Sequence, residues 1–304
     1  MNFDFGEVLT RAGQITWKHK TLWLSGIILA LIGFLSLPIS LLFNDPAAMM
    51  VTDPSQINER MGSMLLANGL ILLISIASIP VYIVGMTIPS LATYRIETGN
   101  GQVSFLGLAR DSLRYFWRVL GIFGLIWLGS FAITMVLFAC LGVLSIVTFG
   151  LATICMFPIM FLFIPIVMAV YAFMEQGISA VVVDDLRFSD AMQRAWDLVK
   201  KNVGVMALLS VIIYLGATIV SMIIVVPMMI PMFSSIFSLG TQPPDAQFFE
   251  NYMRNITLWM LAFSPLYALF QGVILTFMQS AWTLTYMRLA RPRDNAPVIV
   301  EANA

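Results

Sequence analysis

The 304-residue chain is 60% hydrophobic and only 11% charged, and its formal net charge is zero. Soluble domains carry roughly 25% charged residues, and one this apolar would expose large adhesive patches, so composition excludes an ordinary soluble domain and makes a bilayer the natural solvent. Balanced charge gives no footprint for nucleic acid. The single histidine, His19, cannot supply a bis-histidine haem and leaves no histidine-based zinc set, so no cofactor is expected.

The chain starts Met1-Asn2-Phe3-Asp4-Phe5-Gly6-Glu7, acidic where a cleavable signal needs positive charge, so the expectation is an uncleaved N-terminus. Six segments hold the roughly 20 mostly apolar residues that a helical span requires. They lie at about 21–43, 64–92, 119–147, 151–174, 203–233 and 257–286. Only Thr148-Phe149-Gly150 separates the third from the fourth, but together they are too long for a single pass. Cys140 and Cys155 sit in apolar runs and read as small buried hydrophobes.

The basic residues segregate. Arg11, Lys18 and Lys20 precede span one, and Arg95, Arg110, Arg114 and Arg118 lie between spans two and three. Arg187, Arg194, Lys200 and Lys201 lie between four and five, and Arg288, Arg291 and Arg293 follow span six. Only Arg60 and Arg254 fall on the other side. The positive-inside rule therefore places both termini in the cytoplasm, and an odd number of spans would destroy the segregation.

The cytoplasmic segments repeat. Phe5 and Trp17 are twelve residues apart, as are Phe105 and Trp117, and Phe188 holds the same place in a third copy. Each copy reads as an amphipathic helix running into a pair of spans. In the first, Glu7 and Arg11 are spaced for an i,i+4 pair. The second carries a stripe of Arg110, Arg114 and Arg118. In the third, Ser189 is placed to cap the start, Asp190 and the pair Lys200-Lys201 suit the two ends, and Gly204 lies just beyond. The expected fold is all-α: one membrane domain of six spans in three hairpins, each preceded by a cytoplasmic interfacial helix. The pseudo-repeats run about 1–95, 100–183 and 184–290, followed by a short tail, 291–304. Asp53-Pro54 and Pro244-Asp245 each read as the start of a helix leading into the next span.

Four features carry candidate chemistry. Arg110, Arg114, Arg118, Arg194, Lys200 and Lys201 are candidate contacts for anionic lipid headgroups or a partner. At about 1 kcal/mol each near an anionic leaflet they orient rather than anchor the chain, and a topology signal is the plainer reading. Glu175, Asp184 and Asp185 are candidate interfacial carboxylates. No ionisable group falls near a span centre, which weighs against a proton-coupled carrier. Glu175 reads as a boundary residue or, more sharply, as a carboxylate beneath a short re-entrant helix at 177–183, paired to an arginine such as Arg194. Pro158, Pro165, Pro227 and Pro231 are candidate kinks, ordinary in membrane helices but able to open a cavity. The 21 methionines, Met49 and Met50 among them, read as lipid-facing filler rather than a copper path.

Ala180-Val181-Val182-Val183-Asp184-Asp185, followed by Ala191-Met192-Gln193-Arg194-Ala195-Trp196-Asp197-Leu198, resembles the membrane domain associated with some bacterial glycerophosphodiester phosphodiesterases and with related stand-alone membrane proteins. Asp184 stands where that pattern has Glu, and Ala195 where Ser is commoner. The phosphodiesterase activity belongs to a separate soluble barrel and is not implied. What the resemblance implies is a multi-pass protein of a bacterial inner membrane in an accessory role. With no catalytic motif in view, the leading expectation is a non-enzymatic protein that organises anionic lipids, a membrane-protein partner or further copies of itself through its interfacial helices. A small carrier or channel for an apolar or lipidic substrate is the alternative. An enzyme would need two of Glu175, Asp184, Asp185 and Arg194 to meet in a pocket.

Overall fold

The three phenylalanines that align the repeats each begin a helix. In the computed structural model the chain runs α1 (Phe5–Lys18), α2 (Trp23–Phe34), α3 (Ser36–Phe43), α4 (Pro54–Glu97), α5 (Phe105–Ser112), α6 (Phe116–Val147), α7 (Leu151–Asp184), α8 (Phe188–Lys201), α9 (Val203–Met228) and α10 (Ala246–Ala290). Single 3-10 turns, Lys20–Leu22 and Leu113–Tyr115, enter α2 and α6. The structure describes residues 3–43, 54–99, 104–148, 151–233 and 246–290. Helix makes up 94% of it, and no strand occurs among the described residues, which fixes the class as all-α. Asp53, the Pro244-Asp245 pair, Met49, Met50, Phe149-Gly150, Arg291 and Arg293 lie outside the described residues, as do the side chains of Arg60 and Pro158.

Six helical stretches are long and apolar enough to cross a membrane: Lys20–Ile39, Met61–Glu97, Phe105–Val147, Phe163–Asp184, Val203–Met228 and Asn251–Ala290. Their number and order agree with the hydropathy reading, although several are longer than it suggests. At 1.5 Å per residue, α4 and α10 are each about 66 Å long, twice the roughly 30 Å hydrocarbon thickness. The break between α2 and α3 has a direct cause. Proline at position 38 has no N–H, and its ring clashes with the carbonyl four residues back, at Phe34, where α2 ends. Pro165 falls inside α7, which runs on unbroken.

Two details of the short helices differ from expectation. The second is not one helix from 105 to 118. It stops at Ser112, and the 3-10 turn spoils the regular spacing of Arg110, Arg114 and Arg118. The third begins two residues earlier than Ser189 would allow as a cap. Arg187 is the N-cap, and the Ser189 hydroxyl donates to Asp190 Oδ1 at 3.3 Å. Asn202, not Gly204, closes α8, because α9 starts at Val203.

The chain divides into two compact units that cut across the pseudo-repeats. One comprises Met1–His19, Thr87–Gly216 and Phe277–Ala304; the other comprises Lys20–Met86 and Ala217–Thr276. In the first, residues 174–183 of α7 are buried on every side. Small residues permit this: a Cβ on Gly177 would touch Ile122 Cδ1 at 3.4 Å, and the Phe188 ring lies 3.0 Å from a Cβ built on Gly121. The stretch expected to be a re-entrant helix at 177–183 is therefore the uninterrupted end of α7.

The second unit depends on a close crossing of α2 and α10. A Cβ on Gly26 would lie 2.7 Å from both Gln271 O and Gly272 Cα, and one on Gly272 would lie 2.5 Å from Trp23 O. Backbone cannot yield as a flexible side chain can, so only glycine fits either position. Nearby, Phe34 meets Tyr267 edge-on at 5.4 Å, and the Trp259 indole N–H donates to Pro227 O at 3.1 Å. Gly26→Leu should cost about 1–3 kcal/mol in detergent-solubilised thermal unfolding. Gly33→Leu, where a Cβ meets nothing within 4 Å, should be nearly neutral.

Candidate functional site

Helices α4, α7 and α10 end in the first unit with polar side chains facing one another. On α4 these are Thr87, Ser90 and Thr93, on α7 Glu175, Gln176 and Ser179, and on α10 Gln279, Ser280 and Thr283. All are buried. The Ser90 hydroxyl donates to Gln279 Oε1 at 2.9 Å, and Gln279 Nε2 donates to Glu175 Oε1 at 3.0 Å. One amide thus joins three helices. A parallel bond runs from the Thr93 hydroxyl to Ser280 Oγ at 2.9 Å. Further along, the Tyr286 hydroxyl donates to Asp184 Oδ2 at 2.5 Å. Several hydroxyls bond back into their own helix, as Thr283 does to Gln279 O at 2.8 Å. Apolar surroundings make each such bond stronger and each missing one costly.

The seam is not fully satisfied. Glu175 Oε2, both amide atoms of Gln176 and the Trp282 indole nitrogen are buried without a hydrogen-bond partner. Glu175 is buried within the helix bundle, and it is not paired to Arg194. Its burial is nearly complete, at 3% exposure, and its one bond goes to Gln279. Arg194 instead donates to the Ala290 carbonyl at 3.1 Å, at the end of α10, and stands beside the Tyr286 hydroxyl.

Beyond the seam, the short helices are tied to span ends by ion pairs. Arg11 of α1 bonds Glu97 at the end of α4 at 2.6 Å, and Glu7 bonds Arg288 near the end of α10 at 2.6 Å. The i,i+4 pair expected between Glu7 and Arg11 is thus replaced by two links to other helices. Such a local pair is worth only about 0.3–0.5 kcal/mol, so distant, half-buried partners readily win. Arg95 bonds Asp111 at 2.5 Å. Arg114 and Arg118 both bond Asp185.

Asp185 ends α7 in the left-handed region, with φ at 51°, where aspartate is among the few tolerated side chains. Arg118 Nη1 holds it three ways, reaching Oδ1 at 2.6 Å, the Asp185 carbonyl at 3.0 Å and the Leu186 carbonyl at 3.3 Å. A cation on the orphan carbonyls of a helix C-terminus is the favourable sign. Two arginines read as lipid contacts are therefore engaged in ion pairs.

Asp184, Leu186, Asp190, Gln193, Arg194 and Asp197 line an open cleft of about 430 Å³. Asp190, Gln193, Arg194 and Asp197 fall at i, i+3, i+4 and i+7, one face of α8. Asp184 and Arg194 thus meet, whereas Glu175 and Asp185 are elsewhere. Arg110, Lys200 and Lys201 are exposed. Pro165, Pro227 and Pro231 do not line the cleft. No group of three or more metal-binding side chains occurs among the described residues. His19 sits outside the spans. Partial burial, then the charges of Lys18 and Arg11, hold its imidazole below its ordinary pKa and so neutral.

A family described as a domain of unknown function, DUF7847, matches residues 19–289. The chain belongs to this family. No curated protein and no solved structure matches it. The DUF7847 match takes in the whole seam, from Ser90 through Glu175 to Gln279, and starts just after α1.

The Asp185 clamp is testable. A double-mutant cycle with Arg118→Gln and Asp185→Asn should give a coupling of about 0.5–1 kcal/mol in thermal unfolding, modest because both side chains are partly exposed. Arg110→Gln should cost nothing measurable.

Proposed function

We propose that the chain is a non-enzymatic multi-pass protein of a bacterial inner membrane, built as three hairpins. An amphipathic helix in the cytoplasmic headgroup layer enters each hairpin and gathers anionic lipid or a membrane partner. The observation that carries this reading is the set of exposed tryptophans at the entries to spans one, three and five. Trp17 is 66% exposed, Trp117 77% and Trp196 58%; of the four remaining tryptophans, Trp282 is wholly buried, whereas Trp127, within α6, is exposed too. An exposed tryptophan at a span end is the usual membrane-interface anchor, its ring at headgroup depth. Leu106 and Leu113 are exposed beside Trp117 in the same way.

The lipid-contacting set is smaller than charge counting suggests, because Arg11, Arg95, Arg114, Arg118 and Arg288 are engaged in ion pairs. Of the six candidate contacts, Arg110, Lys200 and Lys201 are then left for headgroup attraction, Arg194 being bonded to the Ala290 carbonyl. Each is worth about 1 kcal/mol against an anionic leaflet before salt screening. An accessory role accords with the resemblance to the phosphodiesterase-associated membrane domain.

A carrier is the second reading, favoured by the polar seam within the spans, since such groups are expensive in a bilayer. The enzyme reading has Asp184 and Arg194 in one cleft, but no serine, cysteine or histidine lines it.

Native mass spectrometry of the chain released from nanodiscs of mixed phosphatidylglycerol and phosphatidylcholine tests the proposal. Phosphatidylglycerol should be enriched among retained lipids, and the triple change Arg110→Gln, Lys200→Gln, Lys201→Gln should cut that enrichment by about tenfold. Equal retention of both lipids by the unaltered chain would remove the basis for the reading.

A further inference from the structure

The seam contains one group that the lipid reading does not use. Glu175 lies inside the span Phe163–Asp184 and is buried at 3% exposure. Its Oε1 accepts from Gln279 Nε2 at 3.0 Å, and its Oε2 has no partner. Among the described residues it takes part in no ion pair, and Gln279 is the one side chain acting on it. From α10 it is held by Gln279, which is held in turn by Ser90 of α4, both uncharged. On its own helix Tyr171 lies one turn earlier, in ring contact with Tyr214. The next carboxylate on its own helix, Asp184, is nine residues on, roughly 13 Å along the axis. Among the described residues no lysine or arginine acts on it.

An ionised carboxylate removed from water without a counter-ion is held at a cost of several kcal/mol, and the ordinary escape is to take up a proton. We propose that Glu175 is a proton-binding site within the membrane part of this chain, held as the neutral acid with its hydrogen on Oε2. Oε1 is engaged by a donor and cannot carry that hydrogen, which leaves the unpartnered oxygen as its place. The same region keeps unspent donors. The Gln176 amide follows Glu175 directly, and the Trp282 indole N–H stands one turn beyond Gln279; both are buried and unpartnered. When the Oε2–H bond breaks, the proton passes to water or to a basic group of a bound molecule. The electron pair stays on the carboxylate. A purely structural polar seam needs no ionisable member and no spare donors, because serine, threonine and amide side chains already close its bonds.

Infrared spectroscopy of the full chain in dodecyl maltoside, which has no ester carbonyl, reads the site directly. At neutral pH the unaltered chain should show a neutral carboxylic-acid carbonyl band that shifts in D2O and is missing from Glu175→Gln. Added sodium chloride should leave the band unchanged. If Glu175→Gln does not fold, Glu175→Asp and carbon-13 labelling of glutamate replace it: the band must move with the label in the unaltered chain and cease to do so in Glu175→Asp. An ionised-carboxylate band lost in Glu175→Gln, with no neutral-acid band, would overturn the proposal. So would a neutral-acid band abolished by sodium, which would make this a metal-cation site.

Discussion

In a bilayer every polar side chain must find its partner inside the protein, and the Gln279 amide meets that constraint for three helices at once. It accepts from Ser90 on α4 and donates to Glu175 on α7, from its own place on α10. Nothing apolar could do both. Leucine-rich helices have no hydrophobic reason to associate in lipid tails, so close packing and interhelical hydrogen bonds decide which helices meet. The seam supplies the bonds, and small residues such as Gly177 and Ala180 supply the close approach. The full burial of the end of α7 follows from both.

The ion pairs extend the same logic outward. Each short helix is fastened to the end of a span from another part of the chain, α1 to both α4 and α10, α5 to α4, and the α7–α8 junction to Arg114 and Arg118. Charge that marks the polar side of the membrane therefore also locks the layer together. This redistributes the functional reading. Fewer basic groups remain for lipid, and the exposed tryptophans carry more of the argument for an interfacial layer. The two reserves of unexplained chemistry are a buried carboxylate and a cleft of opposed charges on one face of α8.

Much of the architecture was legible. Hydropathy alone finds six spans, and the spacing of Phe5, Phe105 and Phe188 marks the first residues of α1, α5 and α8. The seam was harder to read, for a physical reason. Averaged over a window, one glutamate at the end of an apolar run looks like the run's boundary, and hydropathy does not announce that Glu175 is buried against other helices. The available signal was polar spacing: Thr87, Ser90 and Thr93 recur every three residues, and Gln279, Thr283 and Tyr286 fall at i, i+4 and i+7, the helical periods of a buried stripe. The break at Ser112 has no proline or glycine to announce it and is set by tertiary packing. The Gly26–Gly272 crossing joins two of 20 glycines far apart in the chain, and nothing local distinguishes them.

The central claim is that a hydrogen-bonded seam, rather than apolar packing alone, holds α4, α7 and α10 together. Replacing Gln279 with leucine tests it most directly, since leucine is similar in size and better suited to lipid. If the account is right, Gln279→Leu leaves Ser90 and Glu175 without their partner and lowers unfolding stability by about 2 kcal/mol, whereas Leu284→Met elsewhere on α10 changes little. Equal or greater stability of Gln279→Leu would show that packing suffices and that the seam is incidental.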